Sequence, residues 1–289
     1  GEFMVDESGS MSIDAVSQKK DNWKKLPSNT LNQGYSRAVV WIRFKIDQKH
    51  IAGNNTWMLE VGYPTLDSVS LYYCLDENAR VPYWVHSESG EDYPFEKREI
   101  KHRNFIYHLA AITNITITYY LRVHSKSSIQ VPLAVITQSK LTEKISNENY
   151  LFGLYFGIIF IMMFYNLFLY FSIRDKSYLY YVLFIGSTGL FHLSVYGLHH
   201  QYLFPETGWW ESHSILFYAY GIAIFICHFA RSFLDSAVNA PVFDKVFHVL
   251  AIIGTTGFFV STFGPYQIMS KSVTFIILLS FLSALITGI

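Results

Sequence analysis

Cysteine is nearly absent: Cys74 and Cys227 are the only two in 289 residues, one in a charged stretch and one in an apolar run. No disulfide framework and no CxxC metal site are to be expected from such usage. Charge is almost absent from the second half. Beyond residue 150 the cations are Arg174, Lys176, Arg231, Lys245 and Lys271 and the anions Asp175, Glu206, Glu211, Asp235 and Asp244, out of 22 of each sign in the chain. Net charge is zero, so electrostatic attraction to nucleic acid has no support. The first residues show no basic stretch followed by an apolar core, so the expectation is that this chain carries no signal peptide. Gly1, Glu2 and Phe3 before Met4 read as an added leader, and residues 1–29 are set aside as a tag and flexible N-terminal segment.

What fills the charge-poor half is apolar. Leu151 to Ile173 contains no Asp, Glu, Lys or Arg, and about 20 such residues suffice for a helix to cross the hydrocarbon core. The pattern predicts five spans, roughly 151–173, 178–197, 212–230, 246–264 and 270 onward. Arg174, Lys176, Arg231 and Lys245 fall in the two loops on one side, whereas the loop around residues 197–213 has no Lys or Arg. Cytoplasmic loops carry the cationic excess, so the N-terminal part is expected outside, with Tyr202, Trp209 and Trp210 at the interface. Asn166, His192, His213, His228 and His248 are polar groups within the spans, read mainly as hydrogen-bonding across helix interfaces. No span contains a carboxylate, which argues against a proton or cation pump.

The first half alternates. In "AVVWIRFKI" Val40, Ile42, Phe44 and Ile46 fall on one parity and Val39, Trp41, Arg43 and Lys45 on the other, the mark of a strand with one apolar face. "WMLEVGY", "DSVSLYYCL", "NFIYHLA", "TITYYLRVHS" and "IQVPLAVIT" follow, with Pro132 suggesting an edge or a bulge. Around eight short strands in about 110 residues suit an all-β jelly-roll sandwich over residues 30–139. Residues 140–150 would be a short linker into an α-helical transmembrane bundle over 151–289.

Trp41, Arg43, Glu60, Tyr120 and Arg122 all lie opposite the apolar parity of their own strands. In neighbouring strands they would form a ligand-binding face, its guanidiniums matching carboxylates or hydroxyls and its rings stacking on sugars or cations. The bland alternative is a solvated sheet face on which Arg43, Glu60 and Arg122 pair with one another. Asp67, Asp92, Glu96 and Arg98 are candidates for the rim. No residue pattern points to catalysis, to a metal or to a cofactor; Glu60 and Asp67 would hardly converge as a glycosidase pair.

The run "NQGYSRAVVWIRFKI", then "WMLEVGYPTLDSVSLYY", "YPFEKREI", "YYLRVHSKSSIQVPLAVI" and directly "LFGLYFGIIFIMMFYNLFLYFSIRDKSYLYYVLFIGSTGLFHLSVYG", resembles the bacterial seven-transmembrane receptors with diverse intracellular signalling modules. The resemblance runs from about residue 30 to the end, and the extracellular part resembles that family's second type. It implies an extracytoplasmic jelly-roll similar to carbohydrate-binding modules, coupled through seven helices to a cytoplasmic diguanylate cyclase, cyclic di-GMP phosphodiesterase or histidine kinase. Two of the seven spans and the output domain are missing from this sequence. The expected function is a signalling receptor in a bacterial inner membrane, sensing a small or carbohydrate-like ligand or a partner. It would contact membrane lipid and form a homodimer, as a dimeric output domain requires. A membrane transporter or channel with an extracytoplasmic binding domain is the alternative.

Overall fold

The computed structural model describes every residue except 48–55, 76–81, 111–114, 207–208 and 289, and the backbone alone of 209–212. In chain order the elements are β1 (Glu2–Asp6), α1 (Ile13–Gln18), β2 (Lys24–Lys25), β3 (Thr30–Tyr35), β4 (Val39–Asp47), β5 (Trp57–Val61), β6 (Ser68–Tyr73), β7 (Val85–Ser89), a 3-10 turn at Phe95–Lys97, β8 (Phe105–His108), β9 (Thr116–His124), β10 (Ser128–Thr137), α2 (Gln138–Ile173), α3 (Lys176–Val195), α4 (Leu198–Tyr202), α5 (Trp209–Phe233), α6 (Ser236–Asn239), α7 (Pro241–Val260) and α8 (Tyr266–Thr287). They divide into two units: residues 1–145 with 196–208, and residues 146–195 with 209–289.

The first unit is a β sandwich. Six strands run in the order β2-β1-β4-β9-β6-β7 and four in the order β3-β10-β5-β8, and the chain passes back and forth between the sheets as in a jelly roll. The even parity of β4 does what its pattern predicts. Val40 and Ile42 join Leu59, Val61, Leu71, Tyr107, Leu121 and Val131 in the core between the sheets. Pro132 is not on an edge strand. β10 pairs with β3 through Pro132 and with β5 from Leu133 on, so the proline sits at the handover, where a missing N–H costs no ladder bond.

Residues 1–29 are part of the fold, contrary to the expectation of a flexible segment. β1 pairs along β4 from Glu2↔Arg43 to Asp6↔Val39, and α1 starts on Ser12, whose Oγ accepts from the Ala15 N–H at 3.3 Å. Buried Asp6 ties the intervening turn, accepting from the backbone of Ser8, Gly9 and Met11. The segment read as a linker at 140–150 is likewise helical, being the first turns of α2.

Among the described residues five helices are long and apolar enough to cross a membrane, all but the first turns of the first lying in the second unit: Gln138–Ile173, Lys176–Val195, His213–Phe233, Pro241–Val260 and Tyr266–Thr287. They match the five expected spans, with α7 and α8 starting several residues earlier because Pro241 and Pro265 open them. Tyr220, Ala223, Cys227 and Ala230 of α5 are buried with Phe247 and Ala251 of α7 and Val273 and Ile276 of α8. Glycines permit the close approaches, since a Cβ on Gly257 would fall 2.3 Å from the Tyr220 ring. Several polar groups in the helices or at their ends are hydrogen-bonded. Tyr155 and His192 share a hydrogen bond of 2.7 Å, Tyr220 and Ser272 one of 2.6 Å, Arg231 donates to Asp244 and contacts His248, and Asn166 donates to its own helix at Met162. Trp209 and Trp210 lie in the first turn of α5, with side chains outside the described residues.

Candidate functional site

The outer face of the six-stranded sheet carries two ladders of side chains. One runs Glu2, Arg43, Tyr120, Tyr72, His86; the other runs Met4, Trp41, Arg122, Ser70, Glu88, each residue opposite the next across neighbouring strands. Trp41, Arg43, Tyr120 and Arg122 therefore share one face. Glu60 does not join them. It lies on β5 in the other sheet, beside Met58 in sequence parity and against the first turns of α2.

The face is half roofed. Met11, Ile13, Val16 and Trp23 cover Met4, Val39, Trp41 and Tyr120, leaving Trp41 1% and Tyr120 2% exposed. The expectation of a tryptophan and a tyrosine open to a ligand is thus corrected by the segment that had been set aside. Arg43 is engaged too: its Nε and Nη2 donate to Glu2 Oε2 at 3.0 and 2.6 Å, and its guanidinium lies 4.2 Å from the Trp23 ring centroid.

Beyond the roof, the β6–β7 half holds a different set. Tyr72 stacks on His86 with centroids 5.8 Å apart, and Trp84 meets Tyr120 edge-on at 5.7 Å while its indole N–H donates to Asp14 at 2.7 Å. Arg122 stands at the border, its Nη2 3.4 Å from the Gly9 carbonyl. Glu88 pairs with Lys97 at 3.0 Å. Tyr72, Trp84, His86 and Arg122 offer ring faces beside a guanidinium and a carboxylate, a combination that suits a sugar ring, a carboxylate or a cation. Tyr72 was legible from its parity opposite Leu71. His86 on β7 and Trp84 just before it were not, since this stretch shows little apolar alternation.

The rim candidates separate. Asp67 and Asp92 meet in one turn: buried Asp67 accepts from the Lys126 backbone N–H, and Asp92 pairs with Lys126 at 3.6 Å. Burial, with the charge of Asp92, pushes the Asp67 carboxyl above its usual range. Glu96 is exposed and paired with Lys101 at 2.7 Å. Arg98 turns inward and is 4% exposed.

Glu60 has an environment of its own. It is 2% exposed, takes Lys144 Nζ on both oxygens at 2.7 Å, and accepts from Asn104 Nδ2 at 2.6 Å. Burial raises the Glu60 carboxyl, but donation from Lys144 and Asn104 outweighs it and holds the group below the ordinary 4.5. A depressed carboxylate contributes stability that is present above its unfolded value and lost as pH falls through the folded one. The thermal midpoint of wild type should therefore exceed that of Glu60→Gln at pH 7, and the gap should close as pH is lowered below 4.5. A gap independent of pH down to 3 would mean that the ion pair contributes nothing.

A β sandwich joined to a set of membrane-spanning helices defines a multi-pass membrane protein with a folded domain outside the bilayer region. Residues 1–137 match the family described as 7TMR-DISM extracellular 2 and residues 148–289 the family described as 7TM diverse intracellular signalling. The chain belongs to the seven-transmembrane receptors with diverse intracellular signalling modules, and has the extracellular sensing domain and signalling role of that family. No curated protein matches it.

Proposed function

We propose that the β6–β7 half of the outer face, between Trp84, Tyr72, His86 and Arg122, binds a small ligand with a sugar-like ring, a carboxylate or a cationic group. The observation that carries this reading is the ladder of aromatic and charged side chains continuing past the roof, where Tyr72 and Arg122 remain partly accessible. The ligand's effect would travel into the membrane helices and bias a cytoplasmic output domain, a diguanylate cyclase, a cyclic di-GMP phosphodiesterase or a histidine kinase. The sandwich would bind and the helices transmit, with no catalytic role for either. The cationic loops at Arg174–Lys176 and Arg231–Lys245 favour a periplasmic sandwich on a bacterial inner membrane, with lipid and a second copy of the chain as partners.

The test is thermal unfolding of the full chain in detergent with a panel of simple sugars, dicarboxylates and divalent cations. A ligand at about 100 times its Kd should add roughly 2.7 kcal/mol of stability. That gain should largely vanish in Trp84→Ala and in Arg122→Ala. A ligand that stabilises wild type and both variants equally would place the site elsewhere.

A further inference from the structure

The loop from Pro94 to Asn104 joins β7 to β8 with a buried arginine at its centre. Arg98 Nη1 donates to the carbonyls of His102 at 2.8 Å and Arg103 at 2.6 Å. Its guanidinium lies over the rings of Phe95 and Phe105, 4.9 and 4.6 Å from their centroids. A planar fork with fixed donors, held over two rings, ties the start of the loop to its end.

Each flank of the clasped loop holds a different piece of chain. On one side Asn104 donates to Glu60, the carboxylate that grips Lys144 of α2. Leu141 of the same helix is buried with Met58 and Ile106, and Ile100 and Ile145 pack against that cluster. On the other side the Phe95 N–H donates to the Pro205 carbonyl at 2.8 Å, the Phe95 ring lies 5.7 Å from that of His200, and Arg103 Nη1 reaches the Tyr196 carbonyl at 3.4 Å. Gly197, at a φ of 72°, sits where a Cβ would fall 2.5 Å from Pro64 Cβ and 3.3 Å from the Arg103 carbonyl. Tyr196 to Pro205 belong to the connection between α3 and α5, and α2 runs without a break from Gln138 to Ile173. One loop therefore grips the root of the first membrane helix and the link between the next two.

We propose that Arg98 is a positioning residue that makes the 94–104 loop a relay, delivering one movement of the sandwich to α2 and to the α3–α5 connection together. The proposal rests on the receptor reading. With the clasp intact, the Asn104 attachment to the start of α2 and the Phe95 attachment to the α3–α5 connection move as one piece. Without it each attachment relaxes on its own.

The experiment is amide hydrogen exchange on the full chain in lipid nanodiscs, comparing wild type with Glu60→Gln, Gly197→Val, Arg98→Lys and Arg98→Gln. Glu60→Gln should speed exchange in residues 138–148 only, and Gly197→Val in residues 196–206 only. Arg98→Gln should speed both by about tenfold, the scale of one charge-assisted hydrogen bond lost, with β4 and β9 unchanged. Arg98→Lys keeps the charge without the fork and should give a smaller rise in the same two segments. If Arg98→Gln unfolds the sandwich, Arg98→Lys carries the test. A rise in one segment, in neither, or equally in β4 and β9 overturns the relay without touching the receptor reading, because neither ligand nor output enters the measurement.

Discussion

Trp41→Ala is expected to cost about 3–5 kcal/mol of stability, the range for deleting a large buried aromatic. The residue is 1% exposed, packed beneath Val16 and against Met4, Val39 and Tyr120, with the Tyr72 ring 5.9 Å away. Alanine would leave a cavity under α1 that β1 and β9, held in their ladders, cannot close. The indole N–H has no hydrogen-bond partner among the described residues, so Trp41→Phe, which keeps most of the ring, should cost much less. Thermal unfolding of the two variants checks this. A Trp41→Ala protein within about 1 kcal/mol of wild type that has lost ligand binding would return Trp41 to the role its sequence position first suggested, that of a ligand contact.

Gly90→Ala should be comparably damaging, for a backbone reason. Gly90 has a φ of 150°, and an added Cβ would lie 2.0 Å from the Asp67 carbonyl oxygen and 2.8 Å from Ser68 Cα. Both neighbours are main chain, and the turn is fixed by Glu91 N–H to Leu66 O at 2.9 Å and Asp92 N–H to Asp67 O at 3.0 Å. Conformational strain of about 1–3 kcal/mol and overpacking of similar size should together remove about 3 kcal/mol or more. Gly34→Ala is the control. Its φ is 61° but nothing lies within 4 Å of the added carbon, so only the left-handed backbone penalty of about 1 kcal/mol applies. Equal losses at the two glycines would mean that the Asp67 turn yields to the extra methyl.

The roof over Trp41 and Tyr120 changes where recognition is to be sought. Half of the strand face that looks most like a ligand platform is an internal joint between the sheet and the chain's own residues 11–23. The accessible chemistry lies farther along the same two ladders, at Tyr72, His86 and Arg122. Glu60, which sequence parity placed with the arginines, instead anchors the helix that continues into the membrane. The two places are separate: one sheet carries the proposed ligand face and the other holds the start of α2.

What the sequence alone determined is what local periodicity can encode. Charge-free runs long enough to span a bilayer specify five membrane helices wherever they pack. A two-residue alternation specifies which side of β4, β5, β6 and β9 enters the core, so Ile42, Leu59, Leu71 and Leu121 were legible one strand at a time. The family resemblance rested on the order of those segments. Parity cannot say which strands are neighbours or what lies over a face. Placing Glu60 in the other sheet and covering Trp41 with Val16 and Met11 depend on contacts between residues far apart in the chain, and turning Arg98 inward between Phe95 and Phe105 depends on a loop fold that no two-residue alternation encodes. The 1–29 segment shows the same limit. Its β1 and α1 are too short to be stable alone, and they become structure only because β4 supplies hydrogen bonds on one edge and an apolar surface beneath.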